Sequence, residues 1–277
     1  MERHNLFRQM AKNRTALAGL CLVVALGVLA LIGPTVSPFN PLAPQPLLRL
    51  QGPSWVHPFG TDSLGRDILS RVIYGSRISI LIGLIAVSIS LVPGTLLGLL
   101  AGYFSRGVDE TIMRLMDIVL AFPTILLAIF VTAILGPSLL NTMIAVGIVY
   151  VPHYARIVRS TVLSLKEQLF VEAVNSLGGS TLRVVARHVL PNTLPPIIVY
   201  ATLGMGTAVL QAAALGFLGL GAQPPIPEWG AMLSEGRQYI QLAPHVAGFP
   251  GLAIFTLVLG FNLFGDGLRD MLDPSLK

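Results

Sequence analysis

Six apolar stretches, each long enough as a helix to cross the roughly 30 Å of a bilayer's hydrocarbon, constrain this chain more than any other feature. They run from Thr15 to Gly33, Ile78 to Gly102, Ile112 to Leu135, Ser138 to Val158, Thr193 to Leu220 and Val246 to Phe264. In hydrocarbon every backbone N–H and C=O must be paired within the protein, so such runs predict helices. Composition agrees, with 53% hydrophobic residues, 11% charged and a mean hydropathy of +0.76, against roughly 25% charged in a soluble domain. The expected fold class is therefore an all-α membrane protein with six transmembrane helices, leaving too few residues for a large domain in water.

The first stretch follows Arg3, Arg8, Lys12 and Arg14, a flank it shares with secretory signals. It exceeds the roughly 7 to 15 apolar residues of a signal and ends at Gly33-Pro34 without a small-residue cleavage site, so it reads as a retained anchor. The single cysteine, Cys21, lies inside it and is expected as a small buried apolar residue; no intramolecular disulfide can form. The net charge is +5, yet the basic residues are scattered between apolar runs rather than gathered on one face, which argues against nucleic acid. Their distribution sets orientation instead. Of 18 Lys and Arg, 13 fall in the N-terminus, Tyr103–Arg114, His153–Leu190 and the C-terminal tail, and 5 in the alternate connections. By the positive-inside rule both termini are cytoplasmic.

Pro93, Pro123, Pro152, Pro195 and Pro196 fall within the spans; they suit either helices that move or helices that pack closely. Asp117, Gln211 and Asn262 are polar groups in or near the spans, facing a bundle interior, a watery route or, for Asp117, the interface. His153, with Arg156 and Arg159, reads as interfacial. Lipid-facing and pathway-facing positions are alike apolar here, so the sequence does not separate them.

The stretch from Lys166 to Asn192 lies on the cytoplasmic side by the charge count. Leu169, Phe170, Ala173, Val174 and Leu177 share one helical stripe, with Lys166, Glu167, Glu172 and Asn175 elsewhere. An amphipathic helix of about three turns is predicted. Gly178-Gly179 ends it, and Ser180 caps a second short helix carrying Leu182, Val185 and Val189. Two short helices meeting at a glycine turn fit a groove on another protein or, on pattern alone, an interfacial helix on lipid.

Glu172-Ala173-Val174, three residues, Gly178, and then Leu190-Pro191 resemble the EAA loop of the membrane subunits of ATP-binding-cassette importers. Val174 stands where that motif has a second alanine, and His188 where it has an apolar residue. His57-Pro58-Phe59-Gly60-Thr61-Asp62-Ser63-Leu64-Gly65-Arg66-Asp67, Phe217-Leu218-Gly219-Leu220-Gly221, Glu228-Trp229-Gly230 and Asn262 to Asp270 followed by Leu272-Asp273-Pro274 narrow it. Together they resemble the "C" type subunit of the dipeptide, oligopeptide and nickel permease subfamily over nearly the whole chain.

The resemblance implies the type I importer permease fold with cytoplasmic coupling helices. Its expected organisation is residues 1–76 as tail, first helix and external loop, 77–266 as permease domain, and 267–277 as cytoplasmic tail. It implies a multi-pass protein of the bacterial inner membrane that works with a second permease, two cytoplasmic ATPases and an external solute-binding protein, surrounded by lipid. The cargo implied is di- or oligopeptides, with nickel or metal-chelate complexes as the alternative. The chain contains no G-x-x-x-x-G-K-[ST] phosphate loop; it is expected to bind no cofactor, ATP and Mg being used by partner subunits, and to be no enzyme. Phe170, Glu172, Ala173, Leu177, Gly178, Leu190 and Pro191 are the expected ATPase-coupling residues: Gly178 for the bend, Phe170 and Leu177 for an apolar knob, and Glu172 for a charged contact, for the turn, or simply as a solvated face near a helix start. Outside, Asp62, Arg66, Asp67 and Trp229 read as contacts for the binding protein or for the membrane interface. A stand-alone transporter would predict internal repeats and buried charged pairs at midmembrane, and an intramembrane enzyme a nucleophile or metal set; the five histidines and one cysteine have no ligand spacing.

Overall fold

The computed structural model of the chain describes residues 13–104 and 106–272. Arg3, Arg8 and Lys12, and residues 273–277 of the expected 267–277 tail with its Asp273-Pro274 ending, lie outside the described residues. Among the described residues the architecture is helical throughout: α1 (Arg14–Val36), α2 (Ile68–Tyr103), α3 (Arg106–Leu120), α4 (Thr124–Leu135), α5 (Leu139–Lys166), α6 (Leu169–Ser176), α7 (Thr181–Val184), α8 (Leu190–Phe217), α9 (Trp229–Gly236) and α10 (His245–Leu272).

Local chemistry sets the helix starts. Asn13 caps α1 by accepting from the Thr15 and Ala16 amides at 3.1 Å, and Asp67 caps α2 through the Ser70 amide at 2.7 Å. α2 therefore begins ten residues before the span expected from hydropathy. Its 36 residues reach about 54 Å, well beyond the hydrocarbon, so its first turns stand in the outer layer.

Four helices are long and apolar enough to cross a membrane: α1, α2, the continuous Thr181–Phe217 helix and α10. The stretch expected as one span from Ile112 to Leu135 is instead α3 and α4, bent by 87°. Pro123 at the break cannot donate to the preceding turn, and it biases Phe122 away from helical geometry. α3 also carries Asp109 and Asp117, which pair with Arg159 and Arg156 of α5 and keep it off the hydrocarbon. Counting the bent pair as one crossing gives five; α5, 28 residues long, has the length for a sixth.

α2 and α5 form the centre. Gly94, Gly98 and Gly102 recur every fourth residue and let α5 approach so closely that a Cβ at Gly98 would lie 2.6 Å from the Ala155 carbonyl oxygen and 2.7 Å from Val158. α8, α9 and α10 close around this pair. Ile82, Val146, Leu215, Trp229 and Leu257 are among the fully buried members of the core. α1 lies at the edge against α10, where Gly267 meets Ala16. Its outer face presents Val24, Val28, Leu31 and Ile32, and Cys21 is exposed there rather than buried as expected.

Candidate functional site

The α6–α7 connection is built as an anchored tip. α6 ends at Leu177 because Gly178 takes φ +78°, a left-handed conformation that costs an L side chain roughly 1–2 kcal/mol. The Gly179 amide donates to the Val174 carbonyl and the Gly178 amide to that of Asn175, both at 3.0 Å, which is the paired closure of a glycine-terminated helix. Nothing lies within 4 Å of where a Gly178 Cβ would stand, so backbone geometry rather than space requires the glycine.

Beneath the turn, Val171, Val184 and Val189 are fully buried against Leu99, Val158, Val162 and Ile197. These valines bind the loop to α2, α5 and α8. Above it, Leu169, Phe170, Leu177 and Leu182 point outward, at 82%, 42%, 88% and 78% exposure. The stripe expected from the sequence therefore divides: Val174 packs inward with the valines, while Leu169, Phe170 and Leu177 form an apolar crown. Val171 was missed, because helical spacing alone assigns it to the polar side.

Glu172 and Ala173 are exposed in α6, Leu190 is half-buried against the valine cluster, and Pro191 is exposed at the start of α8. Phe170, Glu172, Ala173, Leu177, Gly178, Leu190 and Pro191 thus lie on the connection and its root, with the outward positions clustered at the tip. Two details differ from expectation. Ser180 occupies the N-cap position of α7 without a side-chain capping bond. α7 is also not a separate helix: a π turn at Val185–Val189 joins it to α8, and such a turn absorbs the missing amide of Pro191. The tip is thereby continuous with a helix that runs through the bundle. Lys166, beside the loop, donates to the Tyr103 carbonyl at 3.1 Å and closes the end of α2.

At the opposite end, the outer segment carries a buried ionic node. Asp62 accepts from Arg66 Nε at 2.6 Å and lies 3.5 Å from Arg71 Nε. Glu235, at the end of α9, meets Arg66 at 2.7 Å and Arg71 at 3.3 Å. Beside it, His57 Nδ1 and Asp67 are 2.8 Å apart. Asp62, Arg66 and Asp67 are each 3% exposed and Trp229 is 1% exposed; the Trp229 indole donates to the Val72 carbonyl at 3.0 Å. Against the expectation that they face a partner or the membrane interface, these four side chains are buried and hold the loop before α2, together with α9, onto the start of α2. Their i, i+4 spacing signals ion pairing, but Glu235, distant in sequence, completes the node. Glu228, outside the spans, caps α9 through the Gly230 and Ala231 amides at 2.7 and 2.8 Å. Burial pushes its carboxyl above the usual range despite those two donors. Among the described residues no group of three His, Cys, Asp or Glu is arranged to hold a metal ion.

Comparison with known proteins joins the two ends into one identity. The solved inward-facing MetNI methionine ABC transporter matches with a TM-score of 0.60 at 21% identity, over 74% of this chain and 97% of its own, which shows the same fold. The dipeptide transport system permease protein DppC of Alkalihalophilus pseudofirmus is 54% identical over 98% of this chain and 89% of its own. The di/tripeptide transport system permease protein DppC of Pseudomonas aeruginosa is 50% identical over 98% and 91%. The glutathione transport system permease protein GsiD of Escherichia coli is 49% identical over 99% and 91%. Residues 4–53 match the N-terminal TM domain of oligopeptide transport permease C, and residues 94–277 match the binding-protein-dependent transport system inner membrane component. With an all-helical permease fold, a glycine-turn loop at one end and matches from residue 4 to residue 277, the chain belongs to the family of binding-protein-dependent transport system inner membrane components.

Proposed function

We propose that this chain is the permease subunit of an importer for short peptides, and that its α6–α7 tip couples the membrane helices to a cytoplasmic ATPase. The family makes it a transport subunit rather than an enzyme. The observation that carries the coupling role is the division of one loop into a buried valine root and an exposed apolar crown. Leaving Leu169, Phe170, Leu177 and Leu182 in water forgoes roughly 1.5–3 kcal/mol for each side chain that a partner could bury. A lipid-lying helix is the weaker reading, because Leu182 stands across the Gly178 turn from Leu169, Phe170 and Leu177, so the exposed leucines and phenylalanine span two helical segments rather than the flank of one.

In this reading both termini and the tip are cytoplasmic, following the distribution of Lys and Arg. The complex contains a second permease, two ATPases that use ATP and Mg, and an external binding protein. Closure of the ATPases displaces the tip, the π turn carries the displacement into α8, and the bundle reorients as a rigid body. Peptide cargo follows the names of the relatives above. Purification of the tagged chain in mild detergent tests the assembly: two ATPases and a second permease are expected to co-purify, while a stable homo-oligomer would overturn the reading. Dipeptide uptake by the reconstituted complex, absent without the binding protein, tests the cargo.

A further inference from the structure

Midway along the bundle, α5 and α8 part around a cavity of about 120 Å³. Its polar lining comes from Tyr150, Tyr154, Tyr200, Ser90 and Thr207, and no charged side chain lines it. The hydroxyl of Tyr154, a residue 2% exposed, makes no well-formed hydrogen bond, Ser90 being its polar neighbour, and the Gln211 carbonyl oxygen one turn beyond Thr207 is likewise buried with only a loose contact to Tyr150. The Tyr154 and Tyr200 rings meet edge to face at 5.1 Å. Gly204 makes the room, since a Cβ there would lie 2.7 Å from the Tyr154 hydroxyl. Tyr154 lies about 22 Å along α5 and Gly204 about 21 Å along α8, near the midpoint of each.

Unpaired polar atoms at this depth are costly if hydrocarbon covers the cleft, since lipid offers neither donor nor acceptor. Water and a peptide main chain both offer them. The walls at Tyr200 and Leu203 are shared with a larger cavity of about 600 Å³, bounded by Pro195, Pro196, Val199 and Arg269 and lying toward the end that carries the α6–α7 tip. Tyr200 and Leu203 are thus the wall between the mid-bundle cavity and the one nearer that end.

We infer that the α5–α8 cleft is this subunit's share of the translocation pathway, with Tyr150, Tyr154 and Tyr200 as an uncharged hydrogen-bonding station for the peptide main chain. The inference rests on the peptide reading above. A phenol both donates and accepts, so it serves a main-chain N–H or C=O whatever side chain the peptide carries. The absence of charge from the lining keeps binding weak enough for release. The larger recess is then the cytoplasmic exit.

The test uses the assembled transporter in proteoliposomes, with Cys21→Ser to remove the exposed native thiol and Thr207→Cys on the open wall. A charged, membrane-impermeant maleimide is expected to label this cysteine, and binding protein loaded with dipeptide, together with ATP, is expected to slow the labelling severalfold. Labelling only by a lipophilic maleimide, labelling by neither reagent, or labelling indifferent to peptide would each overturn the inference, the first two pointing to lipid and to a covering helix. In parallel, Tyr154→Phe should lower uptake of dipeptides with different side chains by a common factor of about two to ten, as loss of one hydrogen bond implies. A loss that depends on the peptide's side chains, or none, would refute the station. If the unmutated transporter takes up no peptide, the substrate reading has failed; if it transports while Thr207→Cys stays inaccessible to water, only this inference has.

Discussion

Arg71 is 1% exposed and bridges the two carboxylates of the outer node, with Nε 3.5 Å from Asp62 and Nη2 3.3 Å from Glu235. Arg66 makes the shorter contacts to the same two groups, so the four charges balance. Removing one partner from a buried ionic group costs about 3–5 kcal/mol, because the remainder keeps an uncompensated charge. Arg71→Met belongs near about 3 kcal/mol, since Arg66 still serves both carboxylates. Asp62→Ala costs about 5 kcal/mol, because it leaves Glu235 alone to balance two arginines and strands the Leu64 and Arg66 amides, which bond its Oδ1 at 2.8 and 2.9 Å. At about 2–4 °C per kcal/mol for a chain of this size, the melting midpoints fall by roughly 6–12 °C and 10–20 °C. The double variant Arg71→Met, Glu235→Gln leaves the neutral Asp62–Arg66 pair and should recover about 1–3 kcal/mol relative to the sum of the single changes. Thermal unfolding in one detergent, read by size-exclusion chromatography of the heated samples, gives all four values. Additive shifts, or a loss below about 1 kcal/mol for Asp62→Ala, would show that the node behaves as a solvated surface pair.

The tip yields a ranked series at Gly178: Asn should be better tolerated than Ala, and Ala better than Val, because only the left-handed backbone opposes them; ATPase co-purification measures it, and equal tolerance would refute the turn argument. Leu177→Asp should leave insertion and melting unchanged while abolishing peptide-dependent uptake, whereas Val171→Asp should lower the melting midpoint, since only Val171 is buried; identical behaviour would erase the distinction between crown and root. Gly98→Val should disrupt the α2–α5 contact, visible as loss of folded protein, because its side chain would overlap the Ala155 carbonyl; normal yield would contradict that close approach. Glu228, whose carboxyl is raised by burial, binds its proton more tightly folded than unfolded. Stability should therefore fall as pH rises through the ordinary Glu range toward the raised value. Glu228→Gln should flatten that slope above the ordinary Glu value of about 4; parallel melting curves for the two proteins would refute it.

Hydropathy read the class and most of the helices because lipid imposes one requirement on every residue of a span: an apolar exterior and an internally paired backbone. It misplaced what depends on neighbours. The Ile112–Leu135 run is apolar enough to be one span, and only Pro123 together with the pairing of Asp109 and Asp117 to α5 breaks it into α3 and α4. The Gly178 turn was legible because positive φ is a local property with a residue signature. The fate of the loop's apolar stripe was not, since burial of Val171 depends on Val158, Val162 and Leu99 arriving from two other helices. In the same way Asp62 and Arg66 read from the sequence as outward contacts, and only Glu235, distant in the chain, closes them into a buried lock. A helical membrane protein, its glycine turn and its family motifs are all consequences of local composition and spacing. Which apolar side chains anchor and which stay exposed, and where the Tyr154 hydroxyl and the Gln211 oxygen are buried, follow only from the packing, because burial is fixed by residues distant in the chain.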